Sequence, residues 1–147
     1  MAQADPPREP SRTETIARQF IEAIPHAQAL GMAISEIGAG RAVIEMPWDA
    51  RLVGDPATGV IHGGAVSTLI DTASGAAVMA HERGPASTAT LDLRIDYMRG
   101  AAPGEGLTAA AECYHITRTV AFVRAEARQG DRLIAAASGA FTVQGVS

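Results

Sequence analysis

The sequence predicts an α+β fold, a curled antiparallel sheet of about six strands wrapped around one long helix. Three observations carry that reading. The segment 62–80 repeats apolar residues at i, i+3, i+4 and i+7 and consists almost wholly of small and aliphatic side chains. From residue 87 onward, four successive runs alternate apolar and polar residues with the two-residue period of a half-buried strand. Those runs are rich in alanine, which suits a sheet that must approach a helix closely.

In chain order, residues 1–11 combine proline and charge with no apolar run, so they read as a disordered tail and not a signal peptide, leaving 12–147 as one domain. From Ser11 or Thr13 a helix follows, with Ile16, Phe20, Ile21 and Ile24 at helical spacing and Pro25 as its end. A strand pair at roughly 32–38 and 41–47 is broken by "GAG", and "RLVGDPATG" reads as a loop. The long helix starts near His62 with Val66, Leu69, Ile70, Ala73, Ala77 and Ala80 as its aliphatic stripe. "TATLDLRIDYM" places Leu91, Leu93, Ile95 and Tyr97 on one face, and Thr90, Asp92, Arg94 and Asp96 on the other. Strands at 107–117, 119–128 and 132–143 complete the sheet, joined by turns at "TRT" and "QGD".

Composition excludes several classes of function. A length of 147 residues suits a single domain, and 47% apolar residues describe a globular chain. A net charge of −4 with scattered arginines and no basic run argues against nucleic acid as a partner. No apolar stretch is long enough to span a bilayer. The single cysteine, Cys113, forms no intrachain disulfide and fits a reducing cytoplasm. His26, His81 and His115 lack metal-ligand spacing, no serine stands in a nucleophile elbow, and no phosphate-binding glycine loop is present, so no metal or cofactor is expected.

Two features carry chemistry. His62-Gly63-Gly64 opens the long helix, where the first N–H groups lack internal partners and glycine admits a ligand close to the backbone. The turn either only starts the helix or holds an oxygen that becomes anionic in reaction. Asp71 is the one formally charged side chain between Asp55 and Glu82. It shares a helix face with Ser67, Ser74, Gly75 and Val78, small residues that point to close packing on that side as well. Its carboxylate is either satisfied by Ser67 or a neighbouring strand, or it acts as a base beside the turn.

"GVIHGGAVSTLIDTASG", "TATLDLRIDYMRGA" and "RTVAFVRAEARQGDRLIAAASGAFTV" resemble the hotdog-fold acyl-CoA thioesterases of the phenylacetate-degradation (PaaI) type, over about residues 30–143. The most specific match is HGG with an acid nine residues after the histidine. The resemblance implies hydrolysis of an acyl-CoA, with Asp71 as nucleophile or general base and the Gly63 N–H polarising the thioester carbonyl. His62 would fix the turn, and Thr90 would assist near the acid and its water. Gly64 and Ser67 lie beside these groups as candidate substrate contacts. Asp55 stands where the family often has an asparagine before HGG. Arg99 and Arg118 are candidate contacts to the coenzyme A phosphates, since arginine's rigid donor fork suits phosphate. Coenzyme A would enter as part of the substrate, bound between subunits of a homodimer that pairs further into a dimer of dimers. The alternatives are a hotdog dehydratase or hydratase, whose motifs are not found, and a non-catalytic acyl-CoA-binding or regulatory module.

Overall fold

The computed structural model describes residues 7–147. The expected tail falls in part on residues 1–6, which lie outside the described residues. Pro7–Pro10 run exposed into Ser11, which caps helix α1 (Arg12–Glu22) through a reciprocal pair. The Glu14 N–H donates to Ser11 Oγ at 3.1 Å, and the Ser11 N–H donates to Glu14 Oε2 at 2.7 Å. Pro25 ends α1 as expected, but it also opens a second helix, α2 (Pro25–Ala29). Proline fits there because a first helical residue needs no N–H partner.

Strands β1 (Ala33–Gly38) and β2 (Arg41–Met46) form the expected hairpin around Ala39 and Gly40, both at positive φ. The segment expected to be a loop contains a 3₁₀ turn (Ala50–Leu52) and a small ladder of β3 (Val53–Asp55) with β4 (Val60–Ile61). A turn held by its own side chain makes that ladder possible. Asp55 accepts from the Ala57 N–H at 3.0 Å and the Thr58 hydroxyl at 2.9 Å, closing the chain on itself.

Helix α3 (Gly63–Met79) is the central helix. It is followed by β5 (Ser87–Tyr97), β6 (Leu107–Ile116), β7 (Val120–Gln129) and β8 (Arg132–Gln144). The six long strands form one antiparallel sheet in the order β1-β2-β6-β7-β8-β5, wrapped on α3 as the hotdog resemblance implies. All six stripe residues are buried; Val66, Leu69, Ile70, Ala73 and Ala77 share one cluster with Ile44, Leu107, Ala109, Ala125 and Ile134, and Ala80 packs with Ala17 and Met79. Each fully buried Leu or Ile contributes about 1.5–3 kcal/mol. Ala109, Ala125 and Ala127 keep the inner sheet face low enough for α3 to settle on it.

The opposite face of α3 is partly covered too, as its small residues predict. Ser74 and Val78 are 0% exposed, and a Cβ on Gly75 would meet Phe141 at 3.9 Å.

The strict alternation expected of β5 is not observed. Register along β8 passes from Thr90↔Phe141 to Asp92↔Ala140, so Leu91 is an extra residue in a β-bulge. The bulge inverts the parity of the strand. Thr90 lies on the same face as Leu93, Ile95 and Tyr97, toward α3, while Leu91 is 57% exposed. Gly139 permits this, because a Cβ there would stand 2.5 Å from the Asp92 carbonyl oxygen.

Candidate active site

The bulge has a chemical consequence: Thr90 Oγ1 donates to Asp71 Oδ1 at 2.7 Å. Asp71 is half-buried, and this is its one protein hydrogen bond among the described residues. The second carboxylate oxygen therefore stays open to a water or a substrate carbon.

At the start of α3, His62 is the cap. Its Nδ1 accepts from the Gly64 N–H at 2.8 Å, which leaves the ring proton of the neutral form on Nε2. The His62 carbonyl takes the N–H of Ala65 at 2.9 Å and of Val66 at 3.4 Å. The Gly63 N–H has no partner among the described residues and lies at the positive end of the helix dipole. Gly64 has both backbone groups engaged, since Ser67 Oγ and Thr68 Oγ1 each donate to its carbonyl at 2.9 Å. A Cβ on Gly64 would stand 2.9 Å from His62 Nδ1.

Tyr97, which the sequence reading did not single out, belongs to this turn. Its hydroxyl donates to the Gly63 carbonyl at 3.0 Å, and the ring lies about 3.6–3.8 Å from where a Gly63 Cβ would be. Tyr97 is nevertheless 50% exposed, an aromatic ring against a helix end. The signal was present in "RIDYM", but alternation alone gave it no partner.

The structure gathers six of the nine candidates into two groups and leaves three apart. His62, Gly63, Gly64 and Ser67 form the turn at one end of α3, while Asp71 and Thr90 form a pair eight residues further on. Eight helical residues span about 12 Å, so the free N–H and the carboxylate of one chain lie too far apart for one thioester. Asp55 is exposed, with both carboxylate oxygens committed to its own turn. Arg99 and Arg118 are both exposed, at opposite ends of the sheet. Arg99 follows Tyr97, whose register partner is Ala135, whereas Arg118 precedes Val120, whose partner is Thr142. Seven strand residues separate those levels by roughly 23 Å. Among the described residues, no three His, Cys, Asp or Glu side chains cluster as a metal-ligand set. No described helix is long and apolar enough to cross a membrane.

Fold and site together define a hotdog-fold protein with a free backbone N–H at the central helix terminus and a hydrogen-bonded carboxylate two turns along. The chain belongs to the thioesterase superfamily, whose sequence model matches residues 58–136. Human acyl-coenzyme A thioesterase 13 is 30% identical over 117 residues, covering 76% of this chain and 81% of that protein. Putative esterases of Halobacterium salinarum and Pseudomonas aeruginosa are 37% and 35% identical, and the matches span only 50% and 62% of their own lengths. Among solved structures, the conserved protein PA5202 of Pseudomonas aeruginosa superposes with a TM-score of 0.78 at 30% identity, covering 85% of this chain and 98% of that one. The Escherichia coli PaaI protein has the same fold, with a TM-score of 0.82 at 24% identity over 92% of this chain and 95% of that one.

Proposed function

We propose that this protein hydrolyses an acyl-CoA thioester to the free acid and coenzyme A. One observation carries the reading. The lone carboxylate of α3 is oriented by Thr90 at 2.7 Å, on the same helix whose first N–H is unpartnered. The thioester carbonyl oxygen accepts from the Gly63 N–H, and the helix terminus stabilises the negative charge that grows there. Asp71 either attacks the carbonyl carbon or takes a proton from the attacking water. In the water route, the water oxygen bonds to the carbon as its proton passes to Asp71. Collapse of the oxyanion then breaks the C–S bond, and the sulfur leaves with that proton. Each step uses protein groups and water, with coenzyme A arriving as part of the substrate.

The 12 Å between Gly63 and Asp71 calls for two chains. β5 pairs with β8 on one edge only, and Leu91, Tyr97 and Met98 are exposed along it. Antiparallel pairing of two β5 strands about an axis at Arg94 keeps like faces together, Leu93 opposite Ile95, and brings Tyr97 of one protomer across the bulge to the partner's Thr90. Because α3 runs antiparallel to β5, Gly63 then comes beside the partner's Asp71. The same operation brings the Arg99 end of one chain to the Arg118 end of the other, where the two could share one coenzyme A. A cytoplasmic homodimer, pairing further into a tetramer, is part of this reading.

The test is thiol release across a panel of aryl, hydroxyaryl and straight-chain acyl-CoAs. Asp71→Asn should remain folded and lose roughly 10²-fold or more in turnover. Tight acyl-CoA binding without hydrolysis by the native protein would instead identify a non-catalytic binding module. Near-native turnover by Asp71→Asn would remove the carboxylate from the chemistry.

A further inference from the structure

Two buried hydroxyls, Ser74 Oγ and Thr88 Oγ1, have no hydrogen-bond partner among the described residues. An unsatisfied hydroxyl inside a protein is costly, so a pair of them calls for a third group between them. Ser74 is the more telling of the two. Its neighbours Ser67, Thr68 and Thr72 each return their hydroxyl to a carbonyl of α3 at 2.7–2.9 Å. A helical serine can turn its hydroxyl to such a carbonyl, yet Ser74 does not and is 0% exposed.

Both hydroxyls belong to the seam that holds the carboxylate. Ser74 lies one turn past Asp71 on the same face of α3. One turn further, Val78 packs with Phe141 and Val143. The β5–β8 register sets Thr90 beside Phe141 and Thr88 beside Val143. Ser74 therefore sits between Asp71 and Val78, while Thr88 stands two residues from Thr90 on the strand face turned to α3. The Asp71–Thr90 pair occupies the open end of this seam, and Ser74 and Thr88 occupy its closed end.

We propose that Ser74 and Thr88 hold one ordered water beneath Asp71, and that this water donates to Asp71 Oδ2. Both hydroxyl hydrogens are then partnered: the water accepts from Ser74 and from Thr88 on its two lone pairs and gives a hydrogen to the carboxylate oxygen that Thr90 leaves free. Three polar partners are typical of a buried water. With Thr90 on Oδ1 and the water on Oδ2, the carboxylate is held from both sides while a lone pair of Oδ2 still faces the substrate. Ser74 and Thr88 are thus positioning residues, acting on the base through the water. The inference rests on Asp71 being the base of the proposed hydrolysis.

The experiment pairs kinetics with a high-resolution crystal structure of the native protein. Thr88→Val and Ser74→Ala should each lower kcat roughly 10-fold with KM unchanged, because they loosen the base and touch no substrate. Thr88→Ser, which keeps the hydroxyl, should restore kcat. The crystal structure should show water density within hydrogen-bond distance of Ser74 Oγ, Thr88 Oγ1 and Asp71 Oδ2. If the site is dry, replacing an unpaired hydroxyl by the methyl of Thr88→Val should raise Tm and leave kcat alone. That result, or native density with no water there, overturns the inference. Full activity in both variants alongside a dead Asp71→Asn overturns it as well, while leaving the proposed hydrolysis intact. Were the native protein inactive on every acyl-CoA, the hydrolysis reading would fail, and the density would still decide the water.

Discussion

A shared active site makes a quantitative demand that two inactive variants can meet. Gly63→Pro deletes the one free N–H of the α3 terminus, and the local structure accepts it. His62 has φ −58° and ψ 135°, the extended conformation that a residue before proline prefers. Position 63 is the first helical residue, where proline is tolerated, and a Cβ there meets Tyr97 at an ordinary 3.6 Å. Asp71→Asn removes the base and keeps the shape. Each homodimer then has two defective sites. In a heterodimer, one site combines the intact Gly63 of the Asn variant with the intact Asp71 of the Pro variant, and the other site carries both lesions. Random pairing of equal amounts gives heterodimers as about half of all dimers, each with one working site of two, so activity should return to about a quarter of native. The assay is thiol release after co-expression, with differently tagged chains to isolate the heterodimer, which should show about half the native rate. Purified heterodimers as inactive as either homodimer would refute the shared site. Activity in the Gly63→Pro homodimer would refute the role of the N–H.

Two further outcomes follow from packing and charge. Gly139→Ala forces a methyl against the Asp92 carbonyl and Leu93, at 2.5 and 2.9 Å, so the bulge must shift. It should cost about 1–3 kcal/mol, a fall of several degrees in Tm, with a loss of kcat as Thr90 leaves Asp71, and an unchanged melting curve would contradict this account of the bulge. His81 is held below the usual histidine range, first by burial, and its Nδ1 accepts from the Arg83 N–H at 3.2 Å. Below pH 6.5 the unfolded chain therefore binds this proton more readily than the folded one, so stability should fall as pH drops from 7 toward 5. His81→Gln should flatten that part of the curve in urea titrations, and a native stability that rises on acidification would refute the assignment.

Much of this protein was legible in its sequence, where the governing physics is local. The stripe from Val66 to Ala80 specifies α3 and the side it buries, because helical spacing alone decides which residues share a face. The Ser11 cap, the turns at Ala39-Gly40 and Gly130-Asp131, and the alternation of β6 and β7 are equally short-range. His62 and Asp71 stood out for the same reason, as polar exceptions in an apolar segment, and Gly63 as a glycine at a helix start.

What the tertiary structure decided lies where two distant segments meet. Thr90 faces Asp71 only because a bulge against β8 inverts the parity of β5, and that bulge depends on a glycine almost fifty residues away. Tyr97 reaches the Gly63 carbonyl across a separation of 34 residues. The small face of α3 pointed to close packing, but only the folded chain shows that its own sheet wholly covers Ser74. Spacing along a helix or strand sets which side chains point together. Which of them touch is set by register and burial, and those exist only once the sheet has closed on the helix.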